Sequence, residues 1–345
     1  MRILLQLILF SQLFGISYTG FFPLKSTLSL TPGYDSNVLR LSSDEMSEAT
    51  LDQNILGSMS TFDSAYLRLS GSLNSLYRLK HRTNYIKLFV SGGYTSYLHS
   101  SDKNYTSGKV SMLYQWRRHF RIESYVKRLN KYYLRDYVNR DVSNDIYSGC
   151  LFTDEEYGGN FTFPVSKWLW FKTGIFTLKR YYNAEFAEFD LDILAGTAQG
   201  HFKPLNNLNF SLQVIFGSAN NITFNKTARS SNFDRSYTYF EYYVPVTYSL
   251  NNTWISEVGS AYRQEYRKYI AETFDDPLHS GRDHIDRKFD LWFGSKLNKD
   301  MDIKFQIRFR NRTTFSEFEW VEELKSFNQV QAWMTFSRRL VYDRY

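Results

Sequence analysis

Residues 303–310 read Ile-Lys-Phe-Gln-Ile-Arg-Phe-Arg. Ile303, Phe305, Ile307 and Phe309 share one parity; Lys304, Gln306, Arg308 and Arg310 share the other. Successive side chains of a β-strand point to opposite faces, so the segment predicts a strand with one apolar and one charged face. Residues 207–216 repeat the pattern, with Leu208, Phe210, Leu212, Val214 and Phe216 set against Asn207, Asn209, Ser211 and Gln213. In 86–90, Ile86, Leu88 and Val90 oppose Lys87. In 189–195, Phe189, Leu191, Ile193 and Ala195 are expected outward, with Asp190 and Asp192 inward.

Between such strands, long polar connections at 35–60, 97–104, 128–153, 181–187, 218–233, 264–285 and 311–328 alternate with short ones at 80–83, 116–120, 164–167, 204–207, 249–253 and 298–301. Long loops on one rim and tight turns on the other are the layout of a transmembrane β-barrel. Seven long and six short connections predict an all-β, antiparallel up-and-down barrel of 14 strands, with 12 or 16 as alternatives. Both chain ends then lie on the short-turn side, which is periplasmic in a bacterial outer membrane.

The start of the chain suits that compartment. Met1-Arg2 is followed by an apolar run over 3–16, too short for a membrane helix of ~20 residues and of signal-peptide length. Cleavage after Ser17 or Gly20 is expected, giving a leader over 1–20 and one barrel domain over 21–345. Beyond the leader, a spanning chain must cross as strands, since only helices and closed barrels satisfy every backbone group in hydrocarbon.

Composition agrees. Mean hydropathy is −0.44, yet 18% of the residues are aromatic, a combination that an alternating wall produces. Trp116, Trp168, Trp170 and Trp254 flank the short turns and predict an interfacial girdle. Only 6 Pro occur, as paired strands require. In the last strand Val330, Ala332, Met334, Phe336, Leu340 and Tyr342 share a parity that Arg338 interrupts. Either Tyr342 serves as the terminal aromatic, or a bulge near Arg338-Arg339 shifts Tyr345 into that place.

Parity also assigns the lumen. Inward basic residues are Arg68, Lys87, Arg121, Lys127, Lys172, Arg263, Lys304, Arg308, Arg310 and Arg339; inward acids are Glu123, Asp190, Asp192, Glu241, Glu257 and Asp290. Tyr237, Tyr239 and Tyr243 face the same interior. An excess of basic residues predicts a mild anion preference, while opposed charges can equally form structural ladders across the wall. The 264–286 stretch, with Arg267, Lys268, Asp275 and Asp276, is long enough to fold inward as a constriction.

Enzymatic readings find little support. His279-Ser280-Gly281 lies near Asp276, Asp283 and His284, but only in sequence. Cys150, the one cysteine, can form no internal disulfide and is no metal site alone. No phosphate-binding glycine loop or nucleic-acid module is visible, so no catalytic, metal or cofactor residues are assigned and no nucleic-acid partner is expected.

Gly33-Tyr34-Asp35-Ser36-Asn37-Val38, after a first strand at Ser26–Leu30, resembles the barrel start of bacterial outer-membrane proteins. It looks most like the barrels that follow tetratricopeptide repeats, including the surface lipoprotein assembly modulators. That resemblance implies protein or lipoprotein export, although no helical repeat lies between leader and barrel here. The expected function is a monomeric porin-like channel passing small hydrophilic solutes. An export or assembly barrel and a structural or surface-recognition barrel are the alternatives. Expected contacts are outer-membrane lipids, lipopolysaccharide and the barrel-insertion machinery.

Overall fold

The computed structural model describes residues 24–49, 56–57, 59–79, 83–117, 119–138, 146–224, 233–250, 254–271 and 276–342. The expected leader at 1–20 lies outside the described residues, as do Asp275 and Tyr345. The strands are β1 (Leu24–Asp35), β2 (Ser64–Arg78), β3 (Tyr85–Tyr97), β4 (Tyr105–Trp116), β5 (Phe120–Val138), β6 (Tyr147–Pro164) and β7 (Leu169–Tyr182). They continue as β8 (Leu191–Leu205), β9 (Leu208–Asn221), β10 (Tyr237–Ser249), β11 (Glu257–Tyr269), β12 (Asp283–Lys296), β13 (Met301–Phe315) and β14 (Phe327–Tyr342). Each pairs antiparallel with its sequence neighbours, and β1 pairs with β14 to close a barrel of 14 strands. Closure removes every free sheet edge, so each strand's backbone groups have partners on both sides.

The outer face carries the apolar parity. Leu69, Val110, Ile122, Ile175, Phe216 and Phe309 are all exposed there. Short turns close on their own side chains: Asn298 Oδ1 accepts the N–H groups of Asp300 (2.9 Å) and Met301 (2.8 Å). The opposite end carries the longer connections, among them 36–63, 222–236, 270–282 and 316–326. Two short helices sit at that end, α1 (Ser43–Ala49) and α2 (Glu319–Lys325).

Several expected loops are largely strand. Most of 128–153 belongs to β5 and β6, which pair as a long hairpin. The register jumps between Leu129 and Tyr132, where Lys131 takes φ 51°. This bulge reverses the parity, so alternation stops being readable there. Arg267 and Lys268 stand on β11 rather than in a loop, since only 270–282 leaves the ladder. The C-terminal register runs unbroken through Arg338 on both sides, which removes the bulge considered at Arg338-Arg339.

In β8 the alternation is inverted. Leu191, Ile193 and Ala195 are buried and face inward, whereas Leu194 is exposed on the outer face that Asp192 shares. Leu191 and Ile193 pack with Tyr237, Leu178, Tyr239 and Tyr269 inside the barrel. The interior is apolar at that place, so the apolar set turns in. Trp170 also faces inward, stacked 5.3 Å from His201, and leaves the girdle to Trp116, Trp168 and Trp254.

Candidate functional site

Among the described residues, two cavities stand out in the interior. One, of about 560 Å3, lies between Lys109, Glu123, Glu156 and Lys172 on one side and Tyr239, Glu241, Arg263 and Lys288 on the other. The second, of about 520 Å3, lies between Thr27, Ser29, Arg68, Ser70, Ser91 and Ser107 on β1–β4 and Lys127, Arg128, Asp154, Glu156 and Leu178 on β5–β7.

Of the residues assigned to the lumen from sequence, Arg68, Glu123, Lys127, Lys172, Tyr237, Tyr239, Glu241 and Arg263 line these cavities. Lys87 shares the β3 face of Ser91 and Gly93, opposite exposed Leu88 and Val90. Arg121 Nε donates to Gln115 Oε1 at 2.9 Å. Lys304 pairs with Glu257 at 3.0 Å. Arg308 forks onto Asp290 at 2.7 and 2.9 Å, and Arg310 onto Asp286. Asp190 and Asp192 are not in the lumen: Asp190 ends a connection and accepts the Tyr182 N–H at 2.7 Å, and Asp192 faces outward.

Sequence reasoning passed over several inward charges: Lys109, Asp154, Glu156, Arg180, Glu265, Asp286, Lys288 and Arg312. Some lay in segments taken for loops. Others sat where neighbouring polarity hid the alternation; exposed Val110 and Met112 beside Lys109 were the usable signal. These residues form ladders. Lys127 meets Glu156 at 2.7 Å, Arg180 meets Asp154 at 2.8 Å, and Glu123 is shared by Lys109 (3.2 Å) and Lys172 (3.3 Å). Arg310, Arg312 and Lys288 converge on Asp286. Carboxylate–guanidinium forks of this kind fix geometry as well as charge.

Among the described residues of the 36–63 loop, 36–49, 56–57 and 59–63 fold into the barrel mouth. Its Val38, Leu39, Leu41, Leu56 and Met59 are buried with Tyr97 and Tyr133, and Tyr66 and Tyr105 pack against that cluster. Arg40 Nη2 donates to Tyr132 Oη at 3.2 Å. Asn37 holds the turn, its Nδ2 donating to Leu41 O (2.8 Å) and Asn328 O (3.0 Å). A reciprocal cap starts α1: Ser42 Oγ accepts the Glu45 N–H, and Glu45 Oε2 accepts the Ser42 N–H. Glu45 Oε1 then takes a 2.7 Å bond from Arg135 on β5. Lys103 Nζ reaches the carbonyls of Tyr133 (2.6 Å) and Leu134 (3.3 Å), and burial holds its pKa well below the ordinary lysine value.

The described part of the 270–282 connection is tied to its surroundings as well as to itself: the Ile270 N–H donates to Ser236 O, and the His279 ring lies 5.5 Å from that of Tyr269. Asp276 is buried and its carboxylate lies 2.8 Å from His279 Nδ1. Burial pushes the His279 pKa down to about 4, against the pull of Asp276. Among the described residues no hydrogen bond joins Ser280 Oγ to His279.

Barrels of similar overall shape are known. A bacterial polysaccharide outer membrane secretin is 8% identical, with 91% of this chain and 98% of that chain covered and a TM-score of 0.49. An anion-selective porin from Comamonas acidovorans is 8% identical over 93% and 99%, with a TM-score of 0.46. OccAB3 of Acinetobacter baumannii is 10% identical over 92% and 99%, with a TM-score of 0.44. At such values the likeness carries no argument about what this chain does. No protein-family model matches the chain, and no curated protein sequence matches it.

Proposed function

We propose that the protein is a bacterial outer-membrane, porin-like channel through which small hydrophilic solutes diffuse, with a mild preference for anions. The observation that carries this reading is a closed wall, apolar outside, around polar cavities lined by charged side chains. Charge on the inside of a spanning barrel is supportable where the interior holds water or the charges are paired, and here most of the charges are paired. The long-loop end faces the exterior in this reading and the termini face the periplasm. Lipopolysaccharide and outer-leaflet lipid surround the wall of a monomer.

A second reading, a structural or surface-recognition barrel, is favoured by loop 36–63, whose buried cluster occupies the mouth. Single-channel recording of refolded protein in a planar bilayer separates the two. Steady conductance, with a reversal potential of anion sign under a salt gradient, supports the channel. A folded, heat-modifiable barrel that never conducts removes it.

A further inference from the structure

The lumen has two unlike walls. Around β4–β7 and β10–β13 it is lined by ion pairs, as described above. Around β14 and β1–β4 it carries rows of hydroxyls, and across the cavity from them stand Lys127, Arg128, Asp154 and Glu156, each held in an ion pair. The register places Ser337, Ser29, Ser70, Gly93 and Ser107 in one row across β14, β1, β2, β3 and β4. The row above holds Thr335, Thr31, Arg68, Thr95 and Tyr105. Below it run Thr27, Ser72, Ser91 and Lys109.

Two features make this wall a site rather than a polar surface. First, Arg68 differs from every other basic residue lining the two cavities: among the described residues it alone has no carboxylate within 4.0 Å. Its Nε donates to Thr95 Oγ1 (3.0 Å) and its Nη2 to Tyr105 Oη (2.6 Å), so neutral groups orient an uncompensated, exposed guanidinium. Second, the Ser70, Ser72, Ser91 and Ser107 hydroxyls line the cavity and make no side-chain hydrogen bond to other described residues. Gly93 keeps the row open, since a Cβ there would stand 3.3 Å from Ser70 Cβ. The volume of about 520 Å3 lies within the roughly 300–1,000 Å3 of small-ligand pockets.

We propose that this cavity is a subsite for a hydroxyl-rich organic anion, a small polyhydroxylated carboxylate. Arg68 takes the carboxylate, and the Ser70–Ser107 row exchanges hydrogen bonds with the solute hydroxyls. A guanidinium pairs with carboxylate through directed, charge-assisted bonds. Hydroxyls that serve as both donor and acceptor match a polyol better than an alkyl chain. A site built for hydroxyls discriminates against analogues lacking them, because its own polar groups are then left unpaired. The inference rests on the channel reading only for the solute's route to the site.

Equilibrium binding to the refolded, detergent-solubilised barrel tests it without requiring conduction. Microcalorimetry would compare gluconate with hexanoate, which has the same carbon count without hydroxyls, and with glucose, which has hydroxyls without charge. Gluconate is expected to bind at least about tenfold more tightly than either, the scale of one well-made charged hydrogen bond. Arg68→Gln should abolish the advantage over glucose. The double variant Ser70→Ala/Ser107→Ala should reduce gluconate to the hexanoate level, with unheated gel mobility confirming the fold. Equal binding of gluconate and hexanoate, undetectable binding of all three, or an unchanged preference in Arg68→Gln would each overturn the proposal. Loss of potassium chloride conductance would count against the channel reading alone and leave the calorimetric result standing.

Discussion

Lys325 ends α2 close to Arg135, Arg282 and Glu45, where α2 meets α1. Burial, helped by the two arginines, pushes its pKa down to about 7. An unfolded lysine titrates near ~10.4. Between those values the unfolded chain binds more protons than the folded one, so folding stability rises with pH across that window. The penalty of the buried charge is fully present below about 7 and is relieved as pH climbs towards ~10.4. Hydrogen exchange of α1 amides, corrected for the intrinsic rate, should therefore show tighter protection at pH 9 than at pH 6.5. Lys325→Met should flatten that difference; an unchanged pH dependence would place the titrating group elsewhere. Asp286 offers a second test. It is 3% exposed beneath Arg310, Arg312 and Lys288, so Asp286→Asn leaves converging cations without their shared acceptor. Removing one partner of a buried charge pair costs about 3–5 kcal/mol. The midpoint of the heat-modifiable gel shift should fall by several degrees, whereas Asp302→Asn, with a more exposed partner in Arg339, should barely move it.

At the scale of elements, the strands whose two faces meet different media were legible, and those whose two faces do not were misread. In β13 the outer parity is apolar and the inner parity charged, and pattern reading placed both. In β8 the inner parity is the more apolar, because it meets the Tyr237 cluster, and the same reading chose the wrong face. The β5–β6 hairpin was taken for a loop because the bulge at Lys131 breaks the parity halfway along. With Ile193 inside and Asp192 on the opposite face, Ile193→Asp should cost stability by about 2–4 kcal/mol, while Asp192→Asn should change it by little. Urea midpoints in lipid vesicles would decide, and the reverse order would restore the original facing. Loop 36–63 is pinned by Glu45–Arg135 and Arg40–Tyr132, both contacts between distant stretches of chain that no local pattern announces. Deleting residues 43–59 should raise single-channel conductance at least about twofold if this loop narrows the path, as long functional loops do. Shortening 270–282 should not. Equal conductance of the deletion and the parent would move the constriction away from the mouth.

For the molecule as a whole, the candidate site was harder to read than the fold because it depends on which charges cancel. Parity found Arg68, Arg308 and Arg310 alike, yet only cross-strand register shows that Asp290 and Asp286 satisfy the last two while Arg68 keeps neutral partners. A lumen in which most cations carry a paired acid has a weak mean field and few strong local sites. Those two sources of anion preference respond differently to salt. A diffuse excess of positive charge acts over the Debye length, about 10 Å at 0.1 M and about 3 Å at 1 M, so its influence on permeating ions fades as salt rises. A contact site such as Arg68 acts at bonding distance and is screened far less. Reversal potentials measured across the same tenfold gradient at low and at high mean salt should thus give a chloride-over-potassium ratio above unity that falls towards unity at 1 M. The ratio should change little in Arg68→Gln, because one guanidinium is a small part of the mean field. Preference that survives 1 M salt and vanishes in Arg68→Gln would mean that a single contact site governs ion choice, and the paired ladders would then serve the wall rather than the current.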